Sequence, residues 1–308
     1  MFYTIISVSV SLFIYIIIGV FFAKKGLTKK DETGVINQLL LIVFLPCAII
    51  DAFQIEYSIE KLQLIIISML LSFVFFIATY MIGYVIMKFK RETKNRSSTW
   101  IGCYTFSSIL FIGIPVVNQL MGKEGLLILV AFNTVGNILL FSLGESVFTG
   151  MVRVSFKKSI RNPAILAAIL GFLLFIGQIT LPTALGSTVS LLGSFTAPIS
   201  MIINGIMIGN RALGKIAIDK DNLFFVVMKL FFLPFVTMVL GSFLISNQQL
   251  FMLIVLVSSM PSGAVNSLLA ESFNGNGKKA SEYISLSTIV SVFTIPLMLV
   301  VFQFFFNS

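Results

Sequence analysis

The chain has 308 residues, 57% of them hydrophobic and 11% charged, with a net charge of +9. A soluble domain is about a quarter charged, so these figures exclude one, and the polar stretches between the apolar runs are too short to build one. Histidine is absent, and the two cysteines, Cys47 and Cys103, lie in apolar context without metal spacing. This removes the commonest metal ligand and the neutral-pH proton shuttle, and neither a metal nor a cofactor is expected.

Residues 1–26, "MFYTIISVSVSLFIYIIIGVFFAKKG", have no positive leader and no small-residue cleavage site. They read as a retained first span rather than a signal peptide. Ten apolar runs follow one another along the chain, at roughly 3–23, 34–53, 62–88, 98–121, 125–150, 163–180, 186–209, 222–245, 249–270 and 282–305. Each suits one crossing of a bilayer, and the fold class expected is an all-α polytopic membrane protein with ten transmembrane helices.

The basic residues alternate. Lys24, Lys25, Lys29 and Lys30 follow span one. Lys88, Lys90, Arg91, Lys94 and Arg96 follow span three. Arg153, Lys157, Lys158 and Arg161 follow span five. Arg211, Lys215 and Lys220 follow span seven, and Lys278 and Lys279 follow span nine. Eighteen of the 21 Lys and Arg therefore share one side, with Lys61 and Lys123 opposite and Lys229 inside span eight. Cytoplasmic loops carry the positive excess, which puts both termini outside. The charge is matched to the cytoplasmic leaflet of a plasma membrane, a bacterial inner membrane, and not to a nucleic acid.

An internal repeat emerges. Gly19 precedes Pro46 by 27 positions and Gly171 precedes Pro198 by 27; "IPVVN" at Pro115 is echoed by "MPSGAVN" at Pro261. Spans one to five (1–155) thus read as one copy and spans six to ten (156–308) as a second. An odd number of spans inverts the second copy, and inverted repeats with matched broken helices mark secondary transporters.

A proline inside a helix frees a carbonyl, which lipid does not tolerate but a cavity does. The spacing predicts breaks at Pro115 and Pro261, with new half-helices beginning at Val116 and Ser262. Two such N-termini facing one spot would hold an anion without a buried Lys or Arg. Gly113 and Gly263 would allow close approach, and Ser108, Asn118, Ser262 and Asn266 would add hydrogen bonds. A packing kink is the bland alternative for either proline alone.

Asn133 and Asn137 share a face of span five, lining a cavity or bonding a neighbouring helix; Asn37 and Asn204 are weaker cases. Glu145 and Lys229 are the ionisable residues deepest in spans, candidates for coupling or gating or for a structural pair, with Lys229 near enough to the interface to snorkel. Asp51 and Glu271 sit at span ends. "NGNGKKAS" fails as a phosphate loop because Ser272 stands where the first glycine belongs, and no catalytic constellation is present.

Six stretches in order, "NQLLLIVFLPCAI", "SILFIGIPVV", "AFNTVGN", "KLFFLP", "SSMPSGAVNSLLAESF" and "ISLSTIVSVFTIPL", resemble spans two, four, five, eight, nine and ten of the auxin efflux carrier family, also called the membrane transport protein family. That family includes plant PIN auxin exporters and bacterial malate-permease-like carriers. The resemblance implies two inverted five-helix repeats and a scaffold part and a crossover part that meet at Pro115 and Pro261. It also implies export or exchange of small organic anions such as malate, and a homodimer. This chain has Ser108 where the family often has Asn. The function expected is a secondary carrier for a small carboxylate. The alternative is a sodium or proton exchanger using Glu145, although neither proline has an acidic residue near it in sequence.

Overall fold

A computed structural model describes residues 2–27, 30–149, 161–210, 219–273 and 275–306. Lys29, Arg153, Lys157, Lys158, Arg211, Lys215 and the boundary expected between 155 and 156 lie outside the described residues. Among the described residues every regular element is helical.

Six helices are long and apolar enough to cross a membrane: Gly34–Phe53, Ile59–Lys90, Ile109–Thr149, Thr183–Asn210, Lys220–Leu244 and Gly277–Phe304. The apolar stretches Val10–Lys24, Pro163–Ile176 and Gln248–Ser258 are shorter. Large apolar side chains such as Ile17, Phe21, Leu70, Phe73, Val74 and Phe235 point outward. Ser68, Ser72 and Thr79 of the same segments are buried. This is the inside-out polarity that a hydrocarbon solvent favours.

The prolines and glycines shape these helices in different ways. Pro46 and Pro234 each follow a five-residue π-turn, Leu40–Phe44 and Met228–Phe232, in which the chain widens to accommodate the missing N–H. The 41-residue helix Ile109–Thr149 is divided at Gly122, which takes a φ of 64°. Only glycine adopts that conformation cheaply, and it falls where the sequence places the loop between spans four and five.

The chain folds as two compact units, each drawing on both halves of the sequence. The first comprises Met1–Met69, Leu110–Thr134 and Ile160–Lys215. Here the helix Phe2–Lys24 lies along the helix Thr196–Asn210. Gly19 and Gly205 make the crossing so close that a Cβ at either would strike a backbone carbonyl, that of Ile202 or Ile16. Leu45–Phe53 packs on Pro163–Ile176 in turn, with Gly171 against the ring of Phe53. Gly19 and Gly171 are 152 positions apart, and so are Gly205 and Phe53, so the two contacts join corresponding positions of the two sequence halves. Leu40, Phe44 and Ile203 form the buried heart of this unit, with Phe111, Leu192 and Met207 packed on it.

The second unit comprises Leu70–Ile109, Val135–Ser159 and Ile216–Ser308. One end is tied by Asp221, only 8% exposed, which bonds Lys90, meets Arg96 at 3.0 Å and lies 3.8 Å from Lys279. The Tyr283 hydroxyl donates to the same carboxylate. Lys279 also pairs with Asp219 at 2.7 Å and Glu282 at 3.1 Å.

Asp219 caps the helix beginning at Lys220 by accepting from the Asn222 N–H at 2.7 Å. Burial pushes its carboxyl up, but the Lys279 ammonium and the Asn222 N–H together hold it below the ordinary carboxylate value. A depressed carboxylate stabilises the fold above its unfolded pKa, about 3.9, and that contribution disappears as pH falls through the lower folded value. Melting curves taken at descending pH are expected to fall more steeply below about pH 4 for the parent than for Asp219→Asn. Parallel curves would dismiss the contribution.

Candidate functional site

Two interruptions of the helices meet within the second unit. Helix Lys94–Thr105 ends, Phe106–Ser108 run extended, and a new helix starts at Ile109. Opposite, helix Gln248–Ser258 ends and a second short helix, Val265–Ser272, begins after an irregular stretch around Pro261. The two irregular stretches pair antiparallel, Ser107 facing Ser262. The Ser108 N–H donates to Pro261 O at 2.9 Å and the Gly263 N–H to Phe106 O at 3.0 Å. Each break thus satisfies backbone groups that the other leaves over, which a dry interior demands.

Side chains complete the knot. Asn266, fully buried, donates through Nδ2 to Phe106 O at 2.8 Å and Ser262 Oγ at 2.9 Å. Because Phe106 O can only accept, the amide orientation is fixed, and Asn266 Oδ1 is left as a buried acceptor to which no described group donates. The Ser262 N–H donates to Ser287 Oγ at 3.3 Å. Lys229, also fully buried, donates to Tyr104 O at 2.6 Å and Ser107 Oγ at 2.7 Å. Behind the break, Phe76 stacks on Phe106 with ring centroids 5.7 Å apart, and Gly136 leaves room for its ring.

Three expectations need correction. The first break does not fall at Pro115, and no half-helix starts at Val116: Pro115 sits inside the helix from Ile109. The carbonyl it deprives of a donor is that of Phe111; the Ser200 hydroxyl shares its single proton between that oxygen at 3.1 Å and Ala197 O at 2.9 Å. Second, the half-helix on the other strand begins at Val265, not Ser262, because Ser262 and Gly263 are held in the paired stretch. Third, a buried lysine does stand at the crossing: Lys229 cannot snorkel when its ammonium is bonded to the break.

Ser108, Pro261, Ser262, Gly263 and Asn266 are therefore brought together, with Lys229 joining them. Gly113, Pro115 and Asn133 are buried and Asn118 is exposed in the first unit. Asn137 and Glu145 are half-buried on the helix that continues into the second. Asp51, at its span end, is 18% exposed and pairs with Lys123 at 3.2 Å. Sequence reasoning missed Ser107, Ser287 and the carbonyls of Tyr104 and Phe106. Only Lys229 announced itself, as a charge inside an apolar span.

A helical array with an outward apolar surface and two interrupted helices knotted through their backbones defines a polytopic membrane protein. The chain belongs to the membrane transport protein family, whose model matches residues 4–151 and 144–299. It is also 24% identical over 301 residues to an uncharacterized transporter of Methanothermobacter thermautotrophicus, covering 94% of this chain and 96% of that one.

Proposed function

We propose that this transporter is a secondary carrier for a small organic anion such as a carboxylate, working by alternating access with the anion held beside the crossing of the interrupted helices. In this reading the chain makes ten crossings as two inverted five-helix repeats, with both termini outside the cytoplasmic membrane. The paired contacts Gly19–Gly205 and Gly171–Phe53, at one constant offset, support the repeat.

The observation that carries the anion is Lys229. It is fully buried, and among the described residues no carboxylate lies within ion-pair distance of it. A buried charge without a counter-charge is costly, and an anion arriving beside it offsets that cost. A cation exchanger would place an acid at the crossing; Glu145 instead lies along the helix Ile109–Thr149. Asn266 Oδ1 adds a preference, since a hydroxyl next to the carboxylate would donate to it.

Proteoliposome flux with lactate, malate, pyruvate and succinate tests this. Saturable transport is expected, with the hydroxy acids favoured over their hydroxyl-free counterparts by about tenfold, the worth of one hydrogen bond. Asn266→Leu is expected to erase that preference. Folded protein that moves none of the four, by current or by tracer, would sink the carboxylate reading and bring Glu145→Gln to the bench.

A further inference from the structure

Tyr104 belongs to the last turn of Lys94–Thr105. The amide that would normally bond its carbonyl is that of Ser108, and Ser108 N–H is turned to Pro261 O. The carbonyl is thus a true orphan of a helix C-terminus, where the helix dipole concentrates partial negative charge. Interrupted membrane helices commonly place a small cation at such an end, coordinated by freed carbonyl and hydroxyl oxygens. Here one carbonyl and one hydroxyl, Tyr104 O and Ser107 Oγ, are met at 2.6 Å and 2.7 Å by the Lys229 ammonium. The same ammonium lies 5.6 Å from the centroid of the Tyr104 ring, a further cation-favouring surface. The lysine itself is fixed by the π-turn Met228–Phe232 ahead of Pro234.

We propose that Lys229 is a tethered replacement for a dissociable coupling cation: its ammonium fills an oxygen-lined cation site at the first break, so the site is assembled without sodium. Its role is positioning. It holds Tyr104 O and Ser107 in the geometry that lets the two breaks pair. The cation site stands whether or not the substrate is a carboxylate; only the consequence for transport rests on the anion-carrier reading.

Removing the ammonium should uncover a site for a small free cation. The experiment is thermal unfolding of the purified full chain, parent and Lys229→Ala, in methylammonium, sodium or choline chloride at equal ionic strength. The parent is expected to melt at one temperature in all three. Lys229→Ala is expected to melt several degrees lower in choline and to recover at least half the loss in methylammonium, saturably, with choline too large to enter. A folded variant with no selective recovery would overturn the proposal, and so would saturable sodium stabilisation of the parent. Should Lys229→Ala not fold, Lys229→Gln, which still offers Tyr104 O one donor, is put through the same three salts and judged by the same outcomes. Flux in sodium against choline is then read separately: sodium-independent flux is expected of the parent, and absence of any flux would count against the carboxylate reading while leaving the melting result intact.

Discussion

Asp221→Ala is expected to cost about 3–5 kcal/mol of stability, the range for breaking a buried ion pair from one side. The carboxylate is 8% exposed and gathers Lys90, Arg96 and Lys279. Without it three cations face one another, and the Tyr283 hydroxyl loses its acceptor. Lys90 and Arg96 are 29% and 39% exposed, so water relieves part of the repulsion and the lower end of the range is the better expectation. Asp221→Asn keeps an acceptor for Tyr283 and should fall between parent and alanine variant. High salt should narrow the gap, because the exposed members are screened. Denaturant titration in detergent gives the figures; a loss under about 1 kcal/mol, the scale of an exposed pair, would mean that the cluster does not hold this end together.

The second large effect belongs to the glycine crossings. At Gly19 a new Cβ meets the backbone of Ile202 and Ile206, and at Gly205 that of Ile16. Backbone cannot rotate aside, so Gly19→Ala should force the helices apart and cost about 1–3 kcal/mol, as overpacking does. At Gly171 the obstacle is the Phe53 ring, a side chain that can turn. Gly171→Ala should therefore cost less, and adding Phe53→Leu should recover part of the loss. Equal losses at Gly19 and Gly171, or no recovery in the double variant, would contradict this account of the packing.

Much of the fold was legible because membrane burial writes itself in composition. Apolar run lengths anticipated the six long apolar helices, and the division at Gly122 matched the expected gap between spans four and five. The two interruptions were legible in part. Pro261 stands in an irregular stretch between the helices Gln248–Ser258 and Val265–Ser272, close to where the sequence places an interruption. Pro115 misled because a proline's effect depends on what receives its freed carbonyl, and Ser200 is 89 positions away from Phe111. The true first break, Phe106–Ser108, has no proline or glycine; it is set by pairing with Ser262 and Gly263, a tertiary interaction that local sequence does not encode. Lys229 was visible as an anomaly, but its partners are a backbone oxygen and a serine some 120 positions earlier in the chain.

The bond from Ser200 to Phe111 also sets an order of events during synthesis. The helix bearing Pro115 enters the bilayer with a carbonyl that lipid cannot satisfy, and its donor is 89 residues from being made. At about 5–20 residues per second, that interval is roughly 4–18 seconds. For that time the first half of the chain lacks the one described hydroxyl that reaches the Phe111 carbonyl in the finished transporter.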